Sequence, residues 1–261
     1  MQPHPITTSL PTFDKLGVPA PKDVDAEKVG RAWVESFAQF VQAKDIQGTL
    51  STITEDGWWR DLFALTWDLR TFQGHEKIAQ FLQDRLDLAG LTNIVFKSAE
   101  FQQPFPDLAW IYTQFTFETK VAHGTGLARL VPTKDGWKAV IVATNLEGLK
   151  DYPEAVGPRR NPLPNHGKWA DQRRREIEYA DREPEVLIIG GGQSGLDVAA
   201  RLKHLGVSAL VIEKQPRIGN QWRHRYEALC LHDPVCECRA ATVIGNESLR
   251  PCCFLTQGST T

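Results

Sequence analysis

The run Gly190-Gly191-Gly192-Gln193-Ser194-Gly195 is entered directly from Glu185-Val186-Leu187-Ile188-Ile189, a juxtaposition that few folds accommodate. The entering run is short, apolar and β-branched, as expected of a parallel strand buried on both faces. The glycines satisfy G-x-G-x-x-G at Gly190, Gly192 and Gly195. Leu196, Ala199, Leu202 and Leu205 then fall on one helical face that stops at Gly206, and a second strand, 208–212, ends in Glu213. Each part has a mechanical role in seating a dinucleotide. Gly190 permits a tight turn, Gly192 lets the backbone approach a pyrophosphate, and Gly195 lets helix and strand pack closely. The helix start offers free N–H groups and a positive dipole end to phosphate. An acid about 20 residues beyond the glycines accepts hydrogen bonds from ribose hydroxyls, the position held by Glu213. A lone glycine motif is weak, and its bland reading is an ordinary glycine-rich loop. With strand, helix, second strand and terminal acid all in order, residues 185–235 read as a dinucleotide-binding βαβ unit. Whether the dinucleotide is FAD or NAD is not decided by this unit alone.

The first half of the chain has a different rhythm. Val29, Trp33, Phe37, Phe40 and Val41 mark one face of a helix over 25–44. Residues 56–69, with Trp58, Trp59, Leu62, Phe63, Leu65 and Trp67, read as too aromatic to sit in water. A second helix is expected over 76–88, with Ile78, Phe81, Leu82 and Leu86 inward and Gly90 as its stop. The period then becomes two, predicting four strands around 94–96, 108–117, 127–131 and 137–142, divided by turns at 104–107, His123-Gly124 and 134–136. Helices followed by an antiparallel meander make an α+β domain over 25–150, in which a curved sheet wraps a helix and leaves an apolar cone. Residues 1–24 read as a disordered leader. Residues 151–184 form a proline-broken linker with a charged surface helix within 166–180, and this is where the domain boundary is placed.

Composition excludes some classes. A net charge of -2 gives no basic excess for nucleic acid. No apolar run is long enough to span a bilayer, and the first 21 residues lack the pattern of a secretory signal, so a cytoplasmic protein without a membrane partner is expected. All five cysteines lie from Cys230 onward. Cys236, Cys238, Cys252 and Cys253 have neither zinc-site nor C-x-x-C spacing. The stretch 236–261 is expected to be an irregular tail that reads as sequence out of its proper frame.

Two resemblances extend this reading. Residues 27–148, through Trp59-Arg60-Asp61-Leu62, Trp67-Asp68 and Thr71-Phe72-Gln73-Gly74, resemble the NTF2-like (SnoaL-like) cone fold. The stretch Glu213-Lys214, Arg217-Ile218-Gly219-Asn220-Gln221-Trp222-Arg223, Arg225-Tyr226 and Leu231-His232-Asp233-Pro234 resembles flavin-dependent monooxygenases of the flavin-containing and Baeyer–Villiger type, particularly fungal ones in which an NTF2-like domain comes first. The whole is then an α+β NTF2-like cone domain followed by the first βαβ unit of an α/β Rossmann FAD-binding domain. The resemblance implies an FAD site at Gly190, Gly192, Gln193, Ser194, Gly195, Glu213, Lys214 and Trp222. Within it Gly190, Gly192, Ser194 and Gly195 hold the pyrophosphate, Glu213 the ribose, and Trp222 lies along the cofactor. A plain packing role is the alternative for Trp222, and solvated loop positions are the default for Arg223, Arg225 and His232. In that family NADPH reduces the flavin and O₂ oxidises a small organic substrate. The second G-x-G-x-x-G, which seats NADPH, and the F-x-G-x-x-x-H fingerprint do not occur here. The chain is therefore expected to be an incomplete member with an FAD half-site, poorly covered strands, weak or no FAD binding and a tendency to aggregate.

Two other functions compete with this one. The first is a non-catalytic binding or homodimerisation module built on the cone, with a vestigial nucleotide motif. The second is catalysis by the cone itself, for which Asp61, Asp68, His75 and His123 are the acid/base candidates. None of these has a diagnostic spacing; the plainer readings are cap or surface positions for Asp61 and Asp68 and a turn for His123-Gly124.

Overall fold

The computed structural model describes residues 9–161, 163–225 and 227. It divides into two compact units, one ending at Asp151 and the other beginning at Tyr152.

In the first unit a short helix α1 (Phe13–Leu16) precedes α2 (Ala26–Gln42). Asp25 caps α2 by accepting the Lys28 N–H at 3.0 Å. The buried residues Gly30, Trp33, Val34, Phe37, Ala38 and Val41 recur at helical spacing along one face. After α3 (Ile46–Ser51) come β1 (Ile53–Leu62), β2 (Leu69–Gln73) and α4 (His75–Ala89). Gly90 closes α4 in the left-handed conformation, its N–H donating to the Leu86 carbonyl at 2.9 Å. The meander β3 (Thr92–Phe105), β4 (Leu108–Glu118), β5 (Ala122–Thr133) and β6 (Gly136–Leu149) completes a six-stranded sheet of order β2-β1-β6-β5-β4-β3. All neighbours are antiparallel except β1 and β6, which run parallel. The expected α+β architecture is present, with two strands, β1 and β2, that the sequence pattern did not separate from the aromatic stretch containing them.

The core lies between the sheet and helices α2 and α4. Trp33 stacks on Phe37 with ring centroids 4.9 Å apart, and Phe37 reaches Trp59 and Phe115, each at 5.7 Å. Each such ring contributes about 1.5–3 kcal/mol by burial alone. The buried indole N–H groups are satisfied, Trp33 by the Thr52 carbonyl at 2.9 Å and Trp59 by the Thr144 hydroxyl at 3.1 Å.

Two expectations need correction here. His123-Gly124 is not a turn: both residues lie inside β5, and the chain reverses at Thr119–Val121. Gly124 pairs with Phe117 and Gly126 with Phe115. A Cβ on Gly124 or Gly126 would stand 2.3 or 2.1 Å from the partner's ring. These glycines therefore let aromatic rings fold over the neighbouring strand, a packing role that looks like turn chemistry in sequence. The aromatic stretch 56–69 is likewise not wholly buried. Trp59 is fully enclosed, whereas Trp67 is 70% exposed on the loop between β1 and β2.

In the second unit the linker carries α5 (Trp169–Ile177), a polar helix with no buried residue, as its charge pattern implies. Then come β7 (Val186–Ile189), α6 (Gln193–His204), β8 (Ala209–Ile212) and the short α7 (Asn220–Arg225). Strands β7 and β8 pair in parallel, Val186 with Ala209 through to Ile189 with Ile212, so the right order for a βαβ unit is realised. Helix α6 ends in a Schellman arrangement: Gly206 (φ +74°) donates to the Lys203 carbonyl and Val207 to that of Leu202. The linker is tied to this unit by Arg201 Nη1, which donates to both carboxylate oxygens of Glu154 at 2.7 and 2.9 Å, and by the Tyr179 hydroxyl, which donates to the Ala209 carbonyl at 2.9 Å. The face of β7 carrying Leu187 and Ile189 is open, at 57% and 82% exposure. The cysteines, Tyr226, His232 and the expected tail 236–261 lie outside the described residues.

Candidate dinucleotide-binding site

The site is built where β7 turns into α6. The Gly190 N–H still belongs to the sheet, donating to the Ile212 carbonyl at 2.8 Å. Its φ of +107° then reverses the chain, a conformation that strains any side chain. A Cβ on Gly195 would stand 2.0 Å from the Gly190 carbonyl oxygen, so the helix approaches the strand as closely as the motif requires. The first helical N–H with a carbonyl partner is that of Leu196, which donates to Gly192 at 2.9 Å. No side chain caps the helix. The N–H groups of Gln193, Ser194 and Gly195 are thus left for a ligand or water.

Glu213 follows the last residue of β8. Its Oε2 accepts the Gly191 N–H at 2.7 Å and its Oε1 accepts the Gln215 N–H at 2.9 Å. The Gln215 N–H foremost, then that of Gly191, hold the carboxyl below the usual glutamate range, with Lys214 adding to the effect and partial burial opposing it. The carboxylate therefore fixes the glycine turn, and its remaining lone pairs stay available for hydroxyl donors.

A cleft of about 790 Å³ joins these parts. The structure brings Gly190, Gly192, Gln193, Ser194, Gly195, Glu213 and Lys214 together on its lining, along with Ile189, Ile212 and Gln221. Trp222 stands apart from that lining; it sits on α7 at 38% exposure, next in sequence to Gln221. Gln221 is the polar lining residue that the motif did not single out. It lies between Gly219 and Trp222 in the stretch that carries the resemblance, and the turn made by Gly219 (φ +85°) and the burial of Asn220 bring it to the cleft.

The arrangement suits an adenine dinucleotide on three grounds internal to the chain. The helix N-terminus is uncapped, the space beside Gly190 is open to 4 Å, and an acid stands at the end of the second strand. Among the described residues no group of three His, Cys, Asp or Glu side chains could hold a metal ion, and no helix is long and apolar enough to cross a membrane.

The four acid/base candidates of the first unit have other roles. Asp61 is fully buried and accepts the Leu65 and Thr66 N–H groups and the Thr66 and Thr144 hydroxyls at 2.7–3.1 Å. That is a loop clamp rather than a free base. Asp68 pairs with Arg70 at 3.0 Å. The His75 ring lies 3.1 Å from the Ile53 carbonyl, and His123 is exposed on β5. Among the described residues no hydrogen bond or ion pair joins any two of the four.

Residues 188–251 match the family of NAD(P)-binding Rossmann-like domains. Over 52 residues the chain is 46% identical to the indole-3-pyruvate monooxygenase YUCCA1 of Oryza sativa subsp. japonica, covering 20% of this chain and 13% of that protein. Over 50 residues it is 40% identical to an uncharacterised CzcO-like oxidoreductase of Geobacillus kaustophilus, covering 19% of this chain and 14% of that one. The chain thus spans about one seventh of the length of these curated relatives. Among solved structures, a ketosteroid isomerase-like protein from Erwinia carotovora atroseptica aligns with 46% of this chain and 95% of its own at 15% identity and a TM-score of 0.36. An NTF2-like protein with a cystatin-like fold from Novosphingobium aromaticivorans aligns with 46% of this chain and 80% of its own at 15% identity, also with a TM-score of 0.36. The second unit therefore carries a unit of the NAD(P)-binding Rossmann-like type, similar to a short segment of a monooxygenase and of an oxidoreductase.

Proposed function

We propose that residues 185–235 carry the FAD half-site of a monooxygenase-type oxidoreductase that uses NADPH and acts on a small organic substrate. The observation that carries this reading is the Glu213–Gly191 hydrogen bond, which sets the acid at the end of β8 against a glycine turn whose following helix is uncapped. In the proposed complex the N–H groups of Gln193, Ser194 and Gly195 hold the pyrophosphate, and Glu213 accepts from the ribose while it keeps the turn in place. Lys214 adds positive charge at the cleft, and Trp222 flanks the cofactor from α7. When bound, the flavin supplies the electron transfer between NADPH and O₂. This chain's residues bind and orient it. The open face of β7 limits how tightly the site is held, so the expected affinity is weak, about micromolar or less favourable. Titration of the purified chain with FAD, NAD⁺ and NADP⁺, followed by fluorescence anisotropy, tests the reading. Preferential FAD binding supports it, and binding of a nicotinamide dinucleotide without FAD overturns it.

A second reading follows from the exposure of Leu187 and Ile189. Here the first unit acts as a non-catalytic binding or homodimerisation module, and the glycine turn no longer seats a nucleotide. Absence of any dinucleotide binding, together with a concentration-dependent dimer of the first unit, would favour it.

A further inference from the structure

We propose that the groove between α5 and α6 is a binding site for a small aromatic carboxylate, separate from the nucleotide cleft. The groove holds about 370 Å³ and is lined by Trp169, Gln172, Arg173 and Glu176 of α5 and by Lys203 of α6. It shares no lining residue with the nucleotide cleft. Trp169, Arg173 and Glu176 stand at i, i+4 and i+7, so they form one face of α5, with Gln172 beside them. Two helices that met through apolar side chains would close such a gap by packing. Here the lining side chains are aromatic, polar and charged, α5 buries no residue, and the space between the helices stays open.

The groove is in place before any ligand arrives. The Tyr179 hydroxyl donates to the Ala209 carbonyl at 2.9 Å, and Arg182 Nη1 donates to the Gly206 carbonyl at 2.8 Å. These bonds pin the chain that follows α5 to β8 and to the turn after α6. The lining then defines what a ligand must offer. Glu176 Oε2 accepts from Arg173 Nη1 at 3.1 Å and Oε1 accepts from Gln172 Nε2 at 3.0 Å, so this carboxylate already has its donors. Arg173 foremost, then Gln172, hold it below the usual glutamate range, and the charge of Lys203 adds to the effect. The Lys203 ammonium makes no hydrogen bond or ion pair among the described residues, and the Trp169 indole N–H makes no hydrogen bond among them either. The Trp169 ring is largely exposed. Arg173 and Lys203 against Glu176 leave the lining with a net charge of +1. A planar ring that stacks on the indole and carries one carboxylate meets the ring face, the free donor and the charge together.

The test follows the indole N–H resonances of the full chain by NMR as benzoate is added, the Trp169 resonance being identified by its loss in Trp169→Leu. Benzamide, neutral and of the same shape, and cyclohexanecarboxylate, charged but not aromatic, are the comparison probes. Benzoate is expected to shift the Trp169 resonance with a Kd of about 1 mM, as suits an open groove with one charged contact. Both comparison probes are expected to bind at least about fivefold more weakly. Lys203→Gln is expected to weaken benzoate by about five- to tenfold, the charge-assisted contact being lost. Its melting temperature serves as the folding control, and the probe comparison on the wild-type chain needs no variant. Absence of any Trp169 shift at tens of millimolar benzoate overturns the inference. Benzamide binding as well as benzoate, or Lys203→Gln leaving benzoate unaffected, overturns it by removing the charge from recognition. Cyclohexanecarboxylate binding as well as benzoate overturns it by removing the ring. FAD binding is read separately, so either result leaves the nucleotide-binding reading to its own test.

Discussion

Glu213 Oε2 accepts the Gly191 N–H at 2.7 Å, so the acid at the end of the second strand ties down a glycine turn 22 residues earlier in the chain. Its other oxygen accepts the Gln215 N–H, which leaves both oxygens engaged with backbone donors. The residue thus has a structural task that exists before any ligand arrives. Ribose recognition, in the proposed complex, uses the lone pairs that remain.

Replacement of Glu213 by Gln tests this double role. A carboxamide offers one acceptor oxygen and one N–H₂ group, but both of its neighbours are N–H donors. One backbone N–H must lose its bond and face another donor. An unmet donor of this kind costs about 1–3 kcal/mol, so FAD or ADP affinity is expected to fall roughly tenfold or more. Hydrogen exchange at the Gly191 amide should accelerate in the ligand-free protein. Unchanged exchange at Gly191 would show that the clamp is not what holds the turn.

The same bonds set a pH dependence. They favour the charged carboxylate and hold its folded-state pKa below the ordinary glutamate value. The stabilisation is therefore complete above the unfolded-state pKa. It is lost progressively as pH falls from there through the depressed folded value. Carbon-detected NMR titration of the Glu213 carboxyl should give a midpoint below that of a glutamate in a disordered peptide. A midpoint at or above that reference would remove the clamp from the argument.

The glycine turn was legible in sequence because each of its parts has one local job. Strand, glycine spacing, helix and terminal acid follow one another along 28 consecutive positions, and the structure places them in that order with Glu213 on Gly191. Gln221, although within the stretch that carries the resemblance, was not singled out, since it reaches the cleft through the fold of 214–220. In the first unit the helices and the meander showed through their periods. Strands β1 and β2 did not, because β1 pairs with β6 from the far end of the domain, a contact no local pattern encodes. His123-Gly124 misled for a related reason. Gly124 exists to admit the Phe117 ring from the adjacent strand, and a glycine that serves packing looks the same in sequence as one that serves a turn.

Gly192 and Gly195 separate binding from folding. The three atoms nearest to a Cβ on Gly192 all belong to the Gln221 side-chain end, which can swing away, so Gly192→Ala should shift the melting temperature of the free protein little. It should nevertheless weaken FAD markedly, because the methyl group occupies the approach of the pyrophosphate. A Cβ on Gly195 would meet the Gly190 carbonyl oxygen, at 2.0 Å, and Ile188 beyond it. Backbone cannot swing away, so Gly195→Ala should destabilise the second unit by about 1–3 kcal/mol even without ligand. Chemical denaturation of both variants decides the matter. Equal destabilisation by the two substitutions would contradict the geometry.

Asp61 offers the equivalent test in the first unit. The Trp59 indole donates to the Thr144 hydroxyl, and that hydroxyl donates to Asp61 Oδ1 at 2.7 Å. Asp61 also gathers the Leu65 and Thr66 N–H groups, which closes the loop that begins at Phe63 with φ +61° and returns through the Phe63 N–H to the Asp68 carbonyl. The buried charge has no cationic partner among these contacts; four donors stabilise it instead. Asp61→Ala leaves those donors unmatched inside the core and should cost about 3 kcal/mol or more in urea unfolding followed by tryptophan fluorescence. Asp61→Asn keeps one acceptor and should cost less, about 1–2 kcal/mol. Were Asp61 instead a catalytic base with spare capacity, the alanine variant would lose turnover while keeping its stability. The hydrogen-bond count predicts the reverse, with stability lost first.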